Sequence, residues 1–189
     1  MANHRSLTAL LLAGLLTLTA PVAFGLDRKN VLEAHDQEHV LLVRATIPAE
    51  ARRIYGLLRD WSQRARFQKA PTFDHWEVAG DSATGVGAWA AYDLRLGDKV
   101  VRERVFFADE QDGRYLRERA DRPQLPYEVH WLLEPIGDGA STALTIAIHV
   151  PNNRNWVAGF WQQWSTEPAL RAAYAPLPAL LTATLAATY

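Results

Sequence analysis

The sequence predicts an α+β domain in which an antiparallel sheet lies between two helical segments. Hydrophobic residues recur at helical spacing after Pro48, and after Pro71 the period falls to about two and stays there for about 80 residues. Glycine-containing turns separate the alternating runs, and the helical period returns after Pro151. A run of strands followed by helices is typical of the α+β class.

Each element follows from its local sequence. The first strand, 39–47, is rich in Val and Leu and ends before Pro48. The helix that follows places Ile54 and Trp61 on one side, and a second helical turn covers 62–68. Because proline disrupts a helix interior, the prolines of the C-terminal segment divide it into two or three short helices. Six further strands are predicted at 73–79, 88–96, 99–108, 114–120, 127–134 and 141–150.

Composition excludes several classes of protein. The chain has 20 Lys and Arg against 21 Asp and Glu, a net charge of -1, and lacks the basic surplus that nucleic-acid binding requires. It contains no cysteine, which excludes disulfides, thiolate nucleophiles and cysteine-based zinc sites. We therefore expect no nucleic acid partner.

The segment 26–37 reads as a polar N-terminal arm. At its end His35 and His39 lie four residues apart with acidic residues between them. On a helix both imidazoles would face one side, but the order is not His-Glu-x-x-His and no third ligand follows at a suitable distance. We therefore expect neither a metal nor a cofactor.

Residues 1–25 have the three parts of a secretory signal peptide. Arg5 lies in a short polar start, an apolar stretch runs from Leu7 to about Ala20, and Ala23 and Gly25 are the small residues of a cleavage site. The apolar stretch is shorter than the roughly 20 residues that span a bilayer. We expect a mature chain from Leu26 in the periplasm or outside the cell.

Three stretches and the order of elements resemble the START-like, SRPBCC or polyketide-cyclase superfamily. The stretches are ATIPAEARRIYGLLRDWSQ at 45–63, the strand that follows Gly85-Val86-Gly87, and Leu133-Glu134-Pro135 with the Gly-Asp-Gly turn and Thr-Ala-Leu-Thr after it. The resemblance covers 38–189. It implies the helix-grip fold, a curved antiparallel sheet of about seven strands around a C-terminal helical segment, with an apolar cavity between them. Relatives bind lipids, isoprenoid quinones, sterols and polyketides, and some are cyclases or dehydratases.

Glu103 is the most informative polar residue of the predicted sheet. Alternation places it on the same face as Val101, Val105 and Phe107, so its carboxylate is expected to point into the apolar interior. It could anchor a ligand, act as a general acid or base, or pair with an inward arginine on the next strand, Arg117 or Arg119. Asp93, on the face of Trp89 and Ala91, is a weaker case of the same pattern.

The main compositional signal is the aromatic content, with seven tryptophans, six tyrosines and six phenylalanines. These side chains either form ordinary core or line a cavity for an apolar guest. The helical stripe with Val157, Phe160, Trp161 and Trp164 is expected to close the cavity. The candidate ligand-binding residues are Trp89, Tyr92, Glu103, Val105, Phe107, Tyr127, Trp131, Phe160, Trp161 and Trp164.

His130 and His149 fall on the polar side of the last two predicted strands, opposite Trp131 and Ile148. Neighbouring histidines can act as an acid–base pair, but we interpret these two as surface residues on the outer face. Neither has an evident carboxylate to orient it in the sequence.

Three functions remain open. The leading hypothesis is a non-catalytic, exported binding protein for a lipid, quinone or polyketide-like molecule. The second is a cyclase or dehydratase in which Glu103 acts with Tyr92 or Tyr127; the absence of a convergent His, Asp and Ser set weighs against it. The third uses 156–164 to contact a membrane surface or a partner protein, and the scarcity of basic residues there weighs against an anionic membrane.

Export is directly testable. N-terminal sequencing of the protein from the periplasmic fraction of an expressing bacterium should read from Leu26, because the small residues at the cleavage site direct signal peptidase there. A chain that still begins at Met1 would contradict both the cleavage site and the compartment.

Overall fold

The computed structural model describes residues 38–68, 72–79, 82–121, 127–151 and 167–187. In these ranges seven antiparallel strands form one sheet in the order β1-β7-β6-β5-β4-β3-β2. Strands β2 to β7 form a continuous meander, and β1 pairs with β7. The strands are β1 (Glu38–Ile47), β2 (Phe73–Val78), β3 (Trp89–Leu96), β4 (Lys99–Gln111), β5 (Tyr115–Ala120), β6 (Glu128–Ile136) and β7 (Ser141–Pro151).

The sheet is curved, and two irregular pairings account for part of its curvature. The register shifts between Phe107 and Asp109 on β4 and between Asp74 and Glu77 on β2. Extra residues of this kind bend a strand and increase its twist. His75 lies within the second irregularity and has a positive φ of 48°, which is uncommon for a residue other than glycine.

Helices α1 (Ala51–Leu58) and α2 (Trp61–Phe67) connect β1 to β2. The Asp60 side chain caps α2 by accepting hydrogen bonds from the Ser62 and Gln63 amides, at 2.8 and 3.2 Å. Helices α3 (Glu167–Tyr174) and α4 (Leu177–Ala187) end the described chain. The break between them falls at Ala175 and Pro176, as the prolines predict.

One face of the sheet, the inner face, packs against the helices and forms the main core. Alternate residues of every strand contribute to it, among them Tyr92, Val105, Trp131 and Ile146, which are all fully buried. The helices add Ile54, Leu58, Leu170 and Leu181. The opposite, outer face holds a smaller buried cluster of Tyr115, Leu132 and Ala147.

The curved seven-stranded antiparallel sheet packed against helices confirms the architecture predicted from the change of period and from the resemblance. No helix in the described ranges is long and apolar enough to cross a membrane. An open cleft of about 540 Å³ lies between β1 and α3, and its lining includes Leu41 from β1 and Pro168 and Ala172 from α3.

Candidate functional site

A fully buried ion pair lies at the centre of the inner face. Arg64 of α2 contacts the Glu118 carboxylate of β5, and neither side chain is exposed to solvent. The guanidinium also donates from Nε and Nη2 to Gln68 Oε1, at 3.1 Å in each case. Glu118 and Gln68 together therefore hold the guanidinium in one orientation inside an otherwise apolar core.

Aromatic rings enclose this ion pair on two sides. The Arg64 guanidinium carbon lies 4.5 Å from the centroid of the Trp61 ring and 5.0 Å from that of Trp131. Trp61 stacks on Phe107, with 4.2 Å between ring centroids, and donates its indole N–H to the Ala88 carbonyl at 3.1 Å. Burial raises the pKa of the Glu118 carboxyl, while the Arg64 charge and the nearby Trp131 N–H oppose the shift.

Three tyrosine hydroxyls lie close together on the inner face, and those of Tyr92 and Tyr174 are within electrostatic range of the ion pair. They belong to Tyr92 on β3, Tyr127 just before β6 and Tyr174 at the end of α3, and all three side chains are at most 1% exposed. The Tyr92 hydroxyl is close enough to the other two for each to affect its neighbour's pKa. Among the residues that the structure describes, none of the three finds a hydrogen-bond partner in good geometry, although each oxygen is buried.

Glu103 points into the same region, as predicted. It is 1% exposed and lies directly opposite Tyr92 in the pairing of β3 with β4. Its negative charge contributes to the raised pKa of the Tyr92 and Tyr127 hydroxyls, after the larger effect of burial. The inner face therefore brings two carboxylates and three phenols together within an aromatic shell.

Of the candidate residues in the described ranges, most lie on the inner face. Tyr92, Glu103, Val105, Phe107, Tyr127 and Trp131 are all buried there. Phe160, Trp161 and Trp164, and with them the expected closing stripe and the 156–164 contact surface, lie outside the described residues.

The expected inward placement of Trp89 is wrong. Alternation along β3 turns Ala90, Tyr92 and Leu94 inward, so Trp89 points outward, half-buried, with the Arg104 guanidinium 4.4 Å from its ring centroid. Asp93 follows Trp89 to the outer side. There it contacts His75 Nδ1 at 2.9 Å and Arg102 at 3.3 Å.

The expected inward arginine on β5 is also wrong. The inward residues of this strand are Leu116, Glu118 and Ala120, whereas Arg119 is exposed and Arg117 contacts Glu128 at 3.6 Å. The buried cation is Arg64, which comes from a helix instead of the neighbouring strand.

Four residues of this site were not predicted from the sequence: Arg64, Gln68, Glu118 and Tyr174. Two patterns carried a signal for the first three. Arg64 and Gln68 follow Trp61 at helical spacings of three and seven, and Glu118 alternates with Leu116 and Ala120. Each pattern places a polar residue on the apolar side of its helix or strand. A polar residue at the surface would have no reason to lie on that side.

The outer face holds a second group of titratable side chains, and it corrects the interpretation of the histidines. His130 and His149 do lie on the outer face, but they are buried, with 4.4 Å between ring centroids. His130 Nδ1 is 2.9 Å from the Tyr115 hydroxyl, and Nε2 is 3.4 Å from Glu128. Glu128 is thus the orienting carboxylate that the sequence did not reveal, and the pair is not a surface feature.

No group of three or more His, Asp or Glu side chains among the described residues is placed to hold a metal ion. The inner face itself offers hydrogen-bond donors, carboxylates and aromatic surfaces.

The fold and the titratable groups on the inner face together define the class of this protein, a helix-grip domain. Comparison with known sequences identifies its family. Residues 39–182 match the family described as polyketide cyclase / dehydrase and lipid transport, and the chain belongs to this family. Members of this family in general bind hydrophobic ligands. A comparison with curated proteins finds no match.

Solved structures show the same fold at low sequence identity. The Zhui aromatase/cyclase of a Streptomyces species is 12% identical with a TM-score of 0.63, over 78% of this chain and 93% of its own. A Thermus thermophilus protein is 18% identical with a TM-score of 0.62, over 80% and 100%. Norcoclaurine synthase of Thalictrum flavum is 15% identical with a TM-score of 0.56, over 78% and 98%.

The buried ion pair generates a prediction about stability. Arg64→Met or Glu118→Leu alone should lower the free energy of unfolding by about 3–5 kcal/mol, because each leaves one buried charge without its partner. The double variant should lose less than either single variant, because it removes both charges and keeps similar volume. Denaturant unfolding measures all three. Losses that simply add would contradict a direct interaction.

The outer histidine generates a prediction about pH. Burial lowers the pKa of His130 below its ordinary 6.5, so the unfolded chain takes up the proton more readily than the folded one. The stability contributed by neutral His130 is therefore complete above pH 6.5 and declines as the pH falls towards the lowered pKa. His130→Gln should flatten the fall in unfolding free energy between pH 7.5 and 5, roughly the window in which histidine titrates. An unchanged slope would contradict this assignment.

Proposed function

We propose that this chain is an exported, non-catalytic binding protein for a hydrophobic small molecule such as a lipid, isoprenoid quinone or polyketide-like compound. The guest would lie against the inner face of the sheet, beside Tyr92, Glu103 and Trp131. The observation that carries the proposal is the set of three buried tyrosine hydroxyls that make no hydrogen bond of good geometry to any residue that the structure describes.

Unsatisfied polar groups are rare in folded cores. A buried hydroxyl without a partner costs about 1–3 kcal/mol relative to one that is hydrogen-bonded, and most buried side-chain polar atoms are paired. Three such groups close together, inside a shell of Trp, Phe and Tyr rings, are better suited to receive a guest than to stabilise the empty protein. The rings supply apolar contact, and the hydroxyls supply orientation.

Family membership supports the same class of ligand. The family description combines cyclase and dehydrase chemistry with lipid transport. The structural relatives include an aromatase/cyclase and norcoclaurine synthase. These descriptions support an apolar guest. The position of the tyrosine hydroxyls on the inner face supports a guest whose polar end contacts them.

The open cleft between β1 and α3 is the proposed access route. It leads from solvent to Leu41, a buried residue that packs in the inner-face core. The export proposed from residues 1–25 would place this binding protein in the periplasm or outside the cell.

A cyclase or dehydratase is the second candidate, and Glu103 is the observation that favours it. A buried carboxylate opposite one phenol and within electrostatic range of another is a suitable general acid or base for a bound molecule. Glu103→Gln separates the two functions. A carrier would yield the same extracted compound from both forms, whereas an enzyme would yield a different compound, such as one that retains a water, from the variant.

The binding proposal predicts a guest that co-purifies. Native mass spectrometry of the mature protein should show a complex heavier than the chain by one molecule, and organic extraction should release that molecule. Ala90→Leu, which adds bulk to a fully buried inner-face position, should lower the occupied fraction several-fold. Ala91→Leu is the matched control, because its side chain points to the other face, and it should keep the wild-type occupancy.

A protein that releases no organic molecule and also fails to bind an added apolar fluorophore would contradict the proposal. Equal losses of occupancy in the Ala90 and Ala91 variants would place the guest away from the inner face.

A further inference from the structure

We infer that the hydroxyls of Tyr92, Tyr127 and Tyr174 form a hydrogen-bond donor site for one uncharged carbonyl oxygen of the guest. This inference rests on the proposed function, because it names the chemistry of the molecule that the inner face would hold.

Three separate parts of the chain bring these hydroxyls together. Tyr92 comes from β3, Tyr127 precedes β6, and Tyr174 ends α3. Each hydroxyl oxygen is buried and makes no hydrogen bond of good geometry within the described ranges, and the Tyr92 hydroxyl neighbours both of the others. Three such hydroxyls close together define a polar spot on an aromatic surface.

The number of hydrogen-bond donors at this point indicates that the guest supplies an acceptor. Burial raises the pKa of all three hydroxyls, so each one carries a proton to donate at neutral pH. The nearby Glu118 carboxylate is already engaged by Arg64. A carbonyl oxygen has two lone pairs. Two hydroxyls can therefore donate to it while the third donates to a neighbouring tyrosine oxygen, which leaves none of the three protons unsatisfied.

The electrostatic surroundings indicate that this acceptor is uncharged. Burial disfavours any anion at this point, and the negative charges of Glu118 and Glu103 act in the same direction on Tyr92. The Arg64 charge opposes them, but Glu118 contacts it directly. A carboxylate, such as the head of a fatty acid, would meet the same penalty that keeps the phenols protonated.

Aromatic rings around the hydroxyls indicate a flat body next to the carbonyl. The Trp76 and Phe73 ring centroids lie 4.5 and 5.3 Å from that of Tyr92, and the Phe73 centroid lies 5.6 Å from that of Tyr174. Such faces favour stacking and edge contacts with a planar, conjugated guest. The guest class is therefore a conjugated ketone or a related neutral carbonyl compound.

Three fluorescent naphthalenes with a common body test the inference. The first is a (dimethylamino)naphthalene with a propionyl group, the second replaces the propionyl group by propyl, and the third replaces it by a carboxylate. We expect the wild-type protein to bind the ketone about 3- to 10-fold more tightly than the propyl compound, the range for one or more net hydrogen bonds. The carboxylate should bind more weakly than the ketone.

Tyrosine-to-phenylalanine variants identify the donors. Tyr92→Phe and Tyr174→Phe should each weaken ketone binding about 3- to 10-fold and leave binding of the propyl compound unchanged. Because each removes a hydroxyl that makes no well-formed hydrogen bond in the described part of the chain, they should leave the melting temperature of the empty protein unchanged or raise it. Tyr55→Phe is the matched control. The Tyr55 hydroxyl donates to Glu110 at 2.8 Å, so this variant should lose stability but keep the wild-type ketone preference.

Each result is decisive. Equal binding of the ketone and propyl compounds, or variants that weaken both alike, would overturn the inference while leaving a hydrophobic binding protein. Tighter binding of the carboxylate would overturn the claim that the acceptor is uncharged. Failure of all three compounds to bind would overturn the inference, and it would overturn the proposed function as well if the protein also releases no organic molecule.

Discussion

The buried contact between Arg64 and Glu118 is the interaction on which the interior depends. It joins α2 to β5 across the inner face, and Gln68 fixes the guanidinium from the same helix. Removing two charges from water has a cost that apolar residues of similar volume would avoid. The pair therefore adds little net stability, but it fixes the position of α2 on the sheet. A misplaced helix would leave one buried charge without its partner.

The aromatic shell is arranged around this contact. Trp61 and Trp131 lie on the guanidinium, and through them the positions of Phe107 and Tyr174 are defined, since Trp61 stacks on one and Trp131 contacts the other. The charges of Arg64 and Glu118 also act on the Tyr92 hydroxyl. One ion pair thus shapes both the apolar walls and the polar spot of the proposed binding site, and the outer face takes no part in it.

Local periodicity predicted the strands, the helix breaks and the inward side of β4, β6 and β7, because alternation and proline effects are properties of short segments. It failed where two patterns competed. On β3 the size of Trp89 favoured an inward side made of the odd-numbered residues, but Tyr92 belongs to the even-numbered set. The two residues cannot both face inward along a regular strand. Arg64 and Glu118 meet only through packing of a helix on a strand, which no spacing within either element encodes. Burial of the outer histidines depends on their tertiary surroundings in the same way.

We propose that a guest binds the inner face of the sheet and not the outer one, and the tryptophan indole N–H signals in an NMR titration report on both faces. Trp131 lies beside Tyr174 and Glu118, whereas Trp89 lies on the outer side under Arg104. Titration of isotope-labelled protein with the propionyl naphthalene should shift the Trp131 signal saturably and leave the Trp89 signal in place. Trp→Phe variants at the two positions assign these signals. A shift of the Trp89 signal with none at Trp131 would contradict the account.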